Sequence, residues 1–274
     1  MTAGGQVGGA LRTMRPRLKQ VVKVAAATAL WSRVAARVTA IRLVGRGAPA
    51  GRPDSAPSGV LRSRAEWEQS TARMRALRLP THPDGSKNWD TLAALATTLS
   101  HTDQGERVLD AGAALYSTYL PALRLYGYTD LVGTNLEFGR TIRAGGVRLE
   151  RGDIEASGFP AGSFAAVACL SVIEHGVDVT AFLTEASRIV RPGGVLVIST
   201  DYWDDGVDTR GQVAYGTPVR IFDRPAIEQL MRSAQELGFE PLGIPIDLGC
   251  NERVVRWRRL GLDYTYVVLS WRKR

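Results

Sequence analysis

The stretch R-V-L-D-A-G, residues 107–112, decides the fold, because it predicts a short buried strand that ends in an acid and a glycine. From Glu106 onward, short apolar runs alternate with segments of helical periodicity. Strands that are apolar almost throughout are typical of parallel sheets covered on both faces. The alternation therefore predicts an α/β protein with a doubly wound, mostly parallel sheet of seven strands. The strands are expected at residues 107–112, 130–136, 147–154, 164–171, 194–201, 241–248 and 264–271.

Helical periodicity and breaker residues divide the rest of the chain into a basic extension and one domain. The segment 45–59 holds four glycines and three prolines, which is typical of a flexible linker. We therefore expect a helical extension with its linker at residues 1–59, and a domain at 60–274 with a helical lead-in at 60–104 and a core at 105–274. Within that domain, helices are expected at residues 63–77, 89–99, 177–190 and 225–237.

The positive charge of this chain is confined to its first fifth. Residues 1–53 hold ten of the 35 Lys and Arg and no acid, so the remainder holds 25 basic and 27 acidic side chains. A nearly neutral body argues against a broadly positive cleft, and we expect no nucleic-acid partner.

Residues 11–44 predict a basic amphipathic helix that contains Trp31. Three interpretations stay open: packing on the domain or on a partner protein, docking on an anionic membrane surface, or a cleaved leader. The longest uncharged apolar run, 24–32, is too short for a membrane span.

Cysteine and histidine usage constrains the compartment and the chemistry. Cys169 and Cys250 are the two cysteines, and three histidines show no metal-ligand spacing. We therefore expect a cytoplasmic protein, or one peripheral to the inner face of the membrane, with no metal site.

Five short motifs in a fixed order resemble the class I S-adenosylmethionine (SAM)-dependent methyltransferases, whose sheet is Rossmann-like. The resemblance runs from about Lys87 to the C-terminus. The motifs are E-R-V-L-D-A-G (106–112), Asn135 at the end of the second strand, G-D-I (152–154), S-V-I-E-H (171–175) and R-P-G-G (191–194).

The resemblance implies that SAM is the cofactor and lies at the carboxyl ends of the strands. Asp110 would take the methionine ammonium, Gly112 would let the backbone approach the ligand, and Asn135 would take the ribose hydroxyls. Asp153 would accept from the adenine amino group with Ile154 beside the ring, and Ser171 would line the same site.

Two departures from the family pattern need explanation. The loop usually has the pattern (D/E)-x-G-x-G-x-G, but here Ala114 and Tyr116 occupy the second and third glycine positions. Asn135 replaces an acid, with Glu137 as a nearby substitute. The loop either marks a subfamily with a tighter turn or indicates weakened SAM binding, as in a non-catalytic partner subunit. A different enzyme on the same fold is a third alternative.

A hydroxyl acceptor must lose a proton during methyl transfer, so a base is expected near the cofactor. His175 and Asp201 follow the fourth and fifth strands and are the two candidates. Tyr202 and Trp203 beside carboxylates would suit a saccharide, although a solvated loop is the alternative. The residues of these motifs resemble those of bacterial methyltransferases associated with sugar and polysaccharide biosynthesis. We therefore expect a small-molecule or saccharide acceptor.

The basic run R-V-V-R-W-R-R, residues 253–259, has two interpretations. Its alternation predicts an edge strand or hairpin with solvated arginines. A phosphorylated or nucleotide-linked substrate is the functional alternative.

Overall fold

The computed structural model describes residues 46–243 and 245–274. The predicted helix at 11–44 lies outside the described residues. The described helices are α1 (Arg64–Ala76), α2 (Lys87–His101), α3 (Tyr119–Leu125), α4 (Val179–Ile189) and α5 (Arg224–Glu236). The described strands are β1 (Gly59–Val60), β2 (Arg107–Ala111), β3 (Asp130–Asn135), β4 (Ile142–Ala144), β5 (Val147–Arg151), β6 (Phe164–Leu170), β7 (Val190–Tyr202), β8 (Val213–Ala214), β9 (Thr217–Pro218), β10 (Phe239–Pro241), β11 (Val255–Trp257) and β12 (Leu262–Lys273).

The main sheet has the order β1-β12-β7-β6-β2-β3-β5-β4, and its five central strands, β7, β6, β2, β3 and β5, are parallel. Long strand β12 runs antiparallel to β7, with Thr265 opposite Tyr202 and Arg272 opposite Val195. The predicted α/β class and mostly parallel, doubly wound sheet are confirmed, but the sheet formed by the described residues has ten strands instead of the predicted seven. All five parallel strands therefore end at one edge, where their loops converge.

The predicted strand at 241–248 is wrong, because β10 ends at Pro241. The outer edge of β12 next to β10 is already occupied by β1. Strand β10 pairs opposite Trp271 to Lys273, while Gly59 and Val60 of β1 pair opposite Val268 and Val267. The chain after Pro241 has no free stretch of that edge left to extend along.

The Gly/Pro segment ahead of β1 is packed on the domain instead of forming a separate linker. The Ala50 amide donates to the Leu77 carbonyl at 3.2 Å, and the Arg52 guanidinium donates to the Leu99 carbonyl at 3.1 Å. Pro53 is buried. The backbone of this segment satisfies part of its hydrogen bonding on the helical lead-in, which a composition-based expectation does not anticipate.

Helix α2 is the element that brings polar groups to the functional edge. It is buried almost all round, between the sheet and α1, and its buried set includes Asn88 and Asp90. Its first residue is Lys87, so the amino end of α2 lies beside the carboxyl ends of β6 and β7. In the described part of the chain, no helix has the length and apolar character needed to cross a membrane.

Candidate active site

Asp110 is the penultimate residue of β2 and is 3% exposed. It lies opposite Gly133 of β3 and Ala168 of β6, at the centre of the parallel sheet. Burial, together with the nearby charge of Asp90, raises the pKa of its carboxyl to about 7. Among the described residues, no group hydrogen-bonds to this carboxylate. A buried acid of this kind is suited to a cationic ligand, which would restore its ionised form.

The loop after β2 turns at Gly112, whose φ of +91° favours glycine. Its amide donates to the Thr134 carbonyl at 2.8 Å. A Cβ at this position would lie 2.4 Å from Cγ2 of Val172, so close packing requires the glycine as well. The loop then closes on itself, because the Ala114 amide donates to Oγ of Ser117 at 2.9 Å. This hydrogen bond stabilises the turn at the positions where the family usually has glycines.

Tyr116 does not fold back over the loop. Its side chain is 48% exposed and lies edge-on to the His82 ring, with centroids 5.4 Å apart. Burial and the nearby Tyr215, in the turn between β8 and β9, raise the pKa of the Tyr116 hydroxyl. The ring at the third glycine position therefore lies at the solvent-exposed entrance of the site, here called the mouth, beside His82 and Tyr215.

Asn135 braces the loop from the end of β3. Its Nδ2 donates to the Ala113 carbonyl at 3.0 Å, while its Oδ1 accepts from the Glu137 amide at 2.9 Å. An aspartate here could not donate and would face a carbonyl oxygen with negative charge. This geometry accounts for the amide at a position where the family usually has an acid. Glu137 itself is exposed.

The motif after β5 forms a turn at the same edge. Oδ1 of Asp153 accepts from the Glu155 amide at 2.9 Å, and the residue is exposed. Ile154 is partly buried against the core. Asp153 therefore caps its own turn, and its second oxygen stays available to a ligand among the described residues.

Ser171 follows β6 with a φ of +55°, an uncommon value for a residue with a side chain. The Ser171 amide donates to the Ser199 carbonyl at 3.0 Å, which fixes the turn. The Lys87 ammonium donates to its hydroxyl. Oδ2 of Asp90 accepts from Oγ of Ser199 at 2.6 Å. Ser171 thus connects the strand ends to the amino end of α2.

Lys87 shares this buried cluster with two further carboxylates. Oδ1 of Asp201 lies 3.9 Å from the Lys87 ammonium, and Oε2 of Glu174 accepts from Oγ1 of Thr200 at 3.0 Å. Burial raises the pKa of both carboxyls, and Glu174 further raises that of Asp201. Burial opposes the charge of Lys87, but the carboxylates outweigh it and raise the pKa of the ammonium. One lysine therefore faces three buried acids.

The carboxylate of Asp201 is 2% exposed, and its Oδ1 is buried without a hydrogen-bond partner. The nearby Tyr264 hydroxyl partly opposes the rise in the pKa of this carboxyl. Lys87 covers it from the side of α2. The structure therefore places Asp201 beneath the surface of the site, where its charge acts on its neighbours.

His175 lies at the surface of the same cluster. Its ring is half-buried and meets the rings of Tyr215 and Trp257 edge-on, at centroid distances of 5.2 and 6.1 Å. Its Nδ1 is buried without a hydrogen-bond partner. Burial lowers the pKa of the imidazole, against the opposing effect of Asp201. The neutral form that a base requires is favoured.

The prediction that Tyr202 contacts a substrate is wrong. Its side chain is fully buried in the core, and its hydroxyl donates to the Leu248 carbonyl at 2.9 Å. Alternate residues of a strand point to opposite faces, so Asp201 and Tyr202 cannot share one site. Trp203 is partly buried and covered by the Arg253 guanidinium, 4.5 Å from its ring centroid. The aromatic side chains at the mouth are instead Tyr215 and Trp257.

Sequence reasoning missed the contribution of the lead-in helix and of the last strand. Lys87 and Asp90 lie three residues apart, on one helical face, and that spacing was the available signal. No sequence pattern marked Tyr266, because it lies within the apolar run of the last strand and resembles its neighbours there. Its ring lies 3.9 Å from the Lys87 ammonium.

The site residues fit the SAM that the motifs imply. Asp110 is a buried carboxylate that lacks a donor among the described residues, as an ammonium ligand requires. The loop that follows has the positive φ and close backbone packing of a ligand-binding turn. In the described ranges, no group of three His, Cys, Asp or Glu side chains is arranged to hold a metal ion.

Residues 95–198 match the model of a family described as a methyltransferase domain. No curated protein matches the sequence significantly. The matched range contains every motif from Asp110 to Arg191-Pro-Gly-Gly194.

Solved methyltransferase structures are similar in fold to this chain. A geranyl diphosphate C-methyltransferase from Streptomyces coelicolor, solved with Mg²⁺, geranyl diphosphate and S-adenosyl-L-homocysteine, has 17% identity and a TM-score of 0.51 over 89% of this chain and 98% of its own. A SAM-dependent methyltransferase from Mesorhizobium loti has 15% identity and a TM-score of 0.48 over 69% of this chain and 99% of its own.

A phosphoethanolamine N-methyltransferase from Haemonchus contortus, solved with SAM, has 14% identity and a TM-score of 0.48 over 67% of this chain. The chain spans about half of that enzyme's length, 52%. At 17% identity the likeness to the Streptomyces enzyme concerns the fold alone, and each ligand belongs to the protein in which it was found.

Proposed function

We propose, from the premise that this chain is a class I SAM-dependent methyltransferase, that it methylates a hydroxyl group of a small-molecule or saccharide acceptor. One observation carries the proposal. His175, a half-buried imidazole with a lowered pKa, lies at the carboxyl edge of the sheet, between two aromatic rings.

The cofactor contacts are proposed residue by residue. Asp110 holds the methionine ammonium, and the backbone at Gly112 lies along the ligand. Asn135 keeps the loop closed and offers the second lone pair of its Oδ1 to a ribose hydroxyl. Asp153 and Ile154 meet the adenine. Bound SAM supplies an electrophilic methyl group on a sulfonium, and the protein's task is to align the acceptor with it in a dry pocket.

The acceptor hydroxyl is deprotonated by His175 in this proposal. Neutral imidazole accepts the proton as the oxygen attacks, and the positive charge that develops is stabilised by the buried Asp201 carboxylate. Asp201 is thus a positioning residue and not the base, because it lies beneath the surface. The rings of Tyr215 and Trp257 are placed to cover an apolar face of a sugar or another ring.

Isotope transfer tests the proposal directly. The protein is incubated with SAM carrying a ¹³C methyl group and fractions of a bacterial small-molecule extract. Stoichiometric S-adenosylhomocysteine is expected together with a methyl resonance typical of an ether. A resonance typical of an N- or C-methyl group would contradict the hydroxyl acceptor. Absence of SAM binding by calorimetry would favour the non-catalytic subunit.

For residues 11–44 the two proposed partners are a protein surface and an anionic membrane, as the sequence predicts. The support is the charge asymmetry, since every basic residue of 1–53 is unopposed by an acid in that range. Sedimentation with phosphatidylglycerol vesicles, compared with phosphatidylcholine vesicles, separates the two. Salt-sensitive binding to the anionic vesicles alone supports the membrane, and equal or no binding supports the protein.

A further inference from the structure

The hairpin formed by β11 and β12 places an arginine beside the proposed base. The guanidinium of Arg259 lies 5.8 Å from the Trp257 ring centroid and 5.9 Å from that of Tyr215. The same two rings meet the imidazole of His175. One aromatic pair therefore links the guanidinium to the imidazole.

Arg259 differs from Arg253 and Arg256 of this hairpin because, among the described residues, no protein oxygen is its partner. Arg256 forms an ion pair with Asp263 at 3.8 Å, and Arg253 donates to the Asp263 carbonyl at 3.2 Å. Within the described ranges, Arg259 has no carboxylate at ion-pair distance, and its recorded partners are the two rings. A guanidinium held near aromatic rings keeps its N–H groups available to a ligand.

The turn that supplies Tyr215 is itself under backbone strain. Tyr215 has a φ of +54° and is 65% exposed, with Gly216 next to it also at positive φ. A bulky aromatic residue in this conformation costs free energy that glycine or asparagine would not. Its ring meets the His175 ring edge-on, and its centroid lies 5.9 Å from the Arg259 guanidinium. The strained turn thus places one ring beside both His175 and Arg259.

We infer that Arg259 binds an anionic group, a phosphate or a carboxylate, on the acceptor whose hydroxyl faces His175. The inference rests on the proposed function and adds the charge of the substrate to it. A planar guanidinium binds either oxyanion through two parallel N–H···O bonds. The adjacent rings of Tyr215 and Trp257 would then cover the apolar part of the acceptor between its anionic end and its hydroxyl.

Residue-specific modification tests the anion site without a known acceptor. The SAM-loaded protein is treated with phenylglyoxal, with and without inorganic phosphate up to about 50 mM, a concentration that exceeds a millimolar Kd. Mass spectrometry then measures the modification rate of each arginine. Phosphate is expected to slow modification of Arg259 about fivefold or more and to leave Arg256 unchanged. Equal protection of both arginines, or none, would overturn the inference.

The acceptor itself provides a second test. The extract is separated on an anion exchanger, and acceptor activity is expected in the retained pool. Arg259→Gln should raise KM for that pool about tenfold or more with kcat little changed, because a charge-assisted hydrogen bond is lost. The matched control Arg256→Gln should leave KM unchanged. Activity confined to the unretained pool would refute the anion site while leaving methyl transfer intact.

Phosphatase treatment distinguishes the two anions. Loss of acceptor activity after treatment of the retained pool identifies a phosphate, and survival identifies a carboxylate. Protection of Arg259 by polyphosphate alone, with no effect of inorganic phosphate, would contradict a small-molecule site.

Discussion

At the scale of single residues, the site depends on acids that the fold withholds from water. Asp110 has a pKa of about 7 because it is buried near Asp90, so near neutral pH it is partly protonated in the free protein. A ligand ammonium would bind the ionised form. Binding of SAM is therefore linked to the loss of a proton from this one carboxyl.

SAM affinity should fall as the pH is lowered through 7. Between pH 8 and pH 6 the ionised fraction of Asp110 falls about tenfold, and Kd should rise by a similar factor. Asp110→Asn should weaken binding about 10- to 100-fold and abolish this pH dependence. Calorimetry at the two pH values measures both effects. Asp130→Asn, at the opposite end of the sheet, is the matched control, and an unchanged Kd for Asp110→Asn would remove Asp110 from the site.

The second prediction at this scale concerns His175. Burial lowers the pKa of its imidazole below the ordinary 6.5, and the neutral form is the base. The wild-type rate should therefore decline only as the pH drops below about 6.5. His175→Gln should lower kcat about 100-fold, abolish that acidic limb and leave the Kd for SAM intact.

Steady-state kinetics across pH 5 to 8 check the role of His175. His101→Gln, at the end of α2, is the control. A His175→Gln variant with full activity, or with an unchanged acidic limb, would show that another group takes the proton.

At the scale of elements, short hairpins and helix ends set the mouth of the site and its support. Strands β8 and β9 are joined by a two-residue turn in which Tyr215 has a positive φ. Helix α4 begins at the Asp178 cap, whose Oδ1 accepts from the Thr180 amide at 2.9 Å. Glu185 on this helix accepts a hydrogen bond from the Ser157 amide in the loop after β5. Each of these elements gives a prediction that can be tested by unfolding measurements.

Tyr215→Asn should stabilise the protein and impair the acceptor site. Asparagine tolerates positive φ, so about 1 kcal/mol of backbone strain should be relieved. The ring that contacts His175 and Arg259 is lost, and acceptor KM should rise several-fold. Urea unfolding and steady-state kinetics measure the two effects. A destabilised variant with an unchanged KM would show that the ring serves packing alone.

Glu185 in α4 ties the loop after β5 to the helix. The Arg188 guanidinium donates to both of its oxygens and the Ser157 amide donates at 2.8 Å, which together lower the pKa of the carboxyl to about 2. A depressed pKa contributes stability that is present above the unfolded pKa of about 4.3 and is lost as the pH falls towards 2.

Glu185→Gln should therefore lower the free energy of unfolding at pH 7 by about 1–2 kcal/mol, a value discounted because Arg188 is part-exposed. The difference from wild type should shrink below about pH 4. Urea titrations at pH 7 and pH 3.5 measure it. The exposed pair of Glu240 and Arg274 supplies the control variant, Glu240→Gln, for which little change is expected. An equal loss at both pH values would rule out the ion pair as the cause.

At the scale of the whole molecule, the site collects groups from distant parts of the chain. Lys87 comes from the lead-in, Asp110 from the first parallel strand and Tyr266 from the last strand. A ligand that joins the loops at this edge should therefore stabilise the entire domain.

SAM at about 100 times its Kd should add about 2.7 kcal/mol to the free energy of unfolding. For a domain of this size, that corresponds to a rise in Tm of about 5–10 °C. Differential scanning fluorimetry of the full chain measures it, with adenosine as the weaker comparison ligand. A Tm that SAM leaves unchanged would support a domain that has kept the fold and lost the cofactor.

Much of the architecture followed from local patterns. The apolar runs at 107–112 and 164–171 place β2 and β6, because strands covered on both faces have few sequence alternatives. The breaker residues around α4 and α5 gave the bounds of both helices to within two residues. The strand expected at 241–248 failed because its place depends on which segments occupy the edge of β12, and that is a long-range property.

The parallel sheet, the order of its motifs and the position of Asp110 follow from local features of the chain, because strand periodicity and glycine requirements are local. The face that each side chain takes at the active edge depends on the folded structure. Folding buried Tyr202, brought Lys87 and Asp90 beneath Ser171, and set Arg259 and His175 against the same two rings. Burial and ion pairing depend on neighbours that lie far along the chain, such as Leu248 for Tyr202 and Ser171 for Lys87, and no local pattern encodes their register and packing.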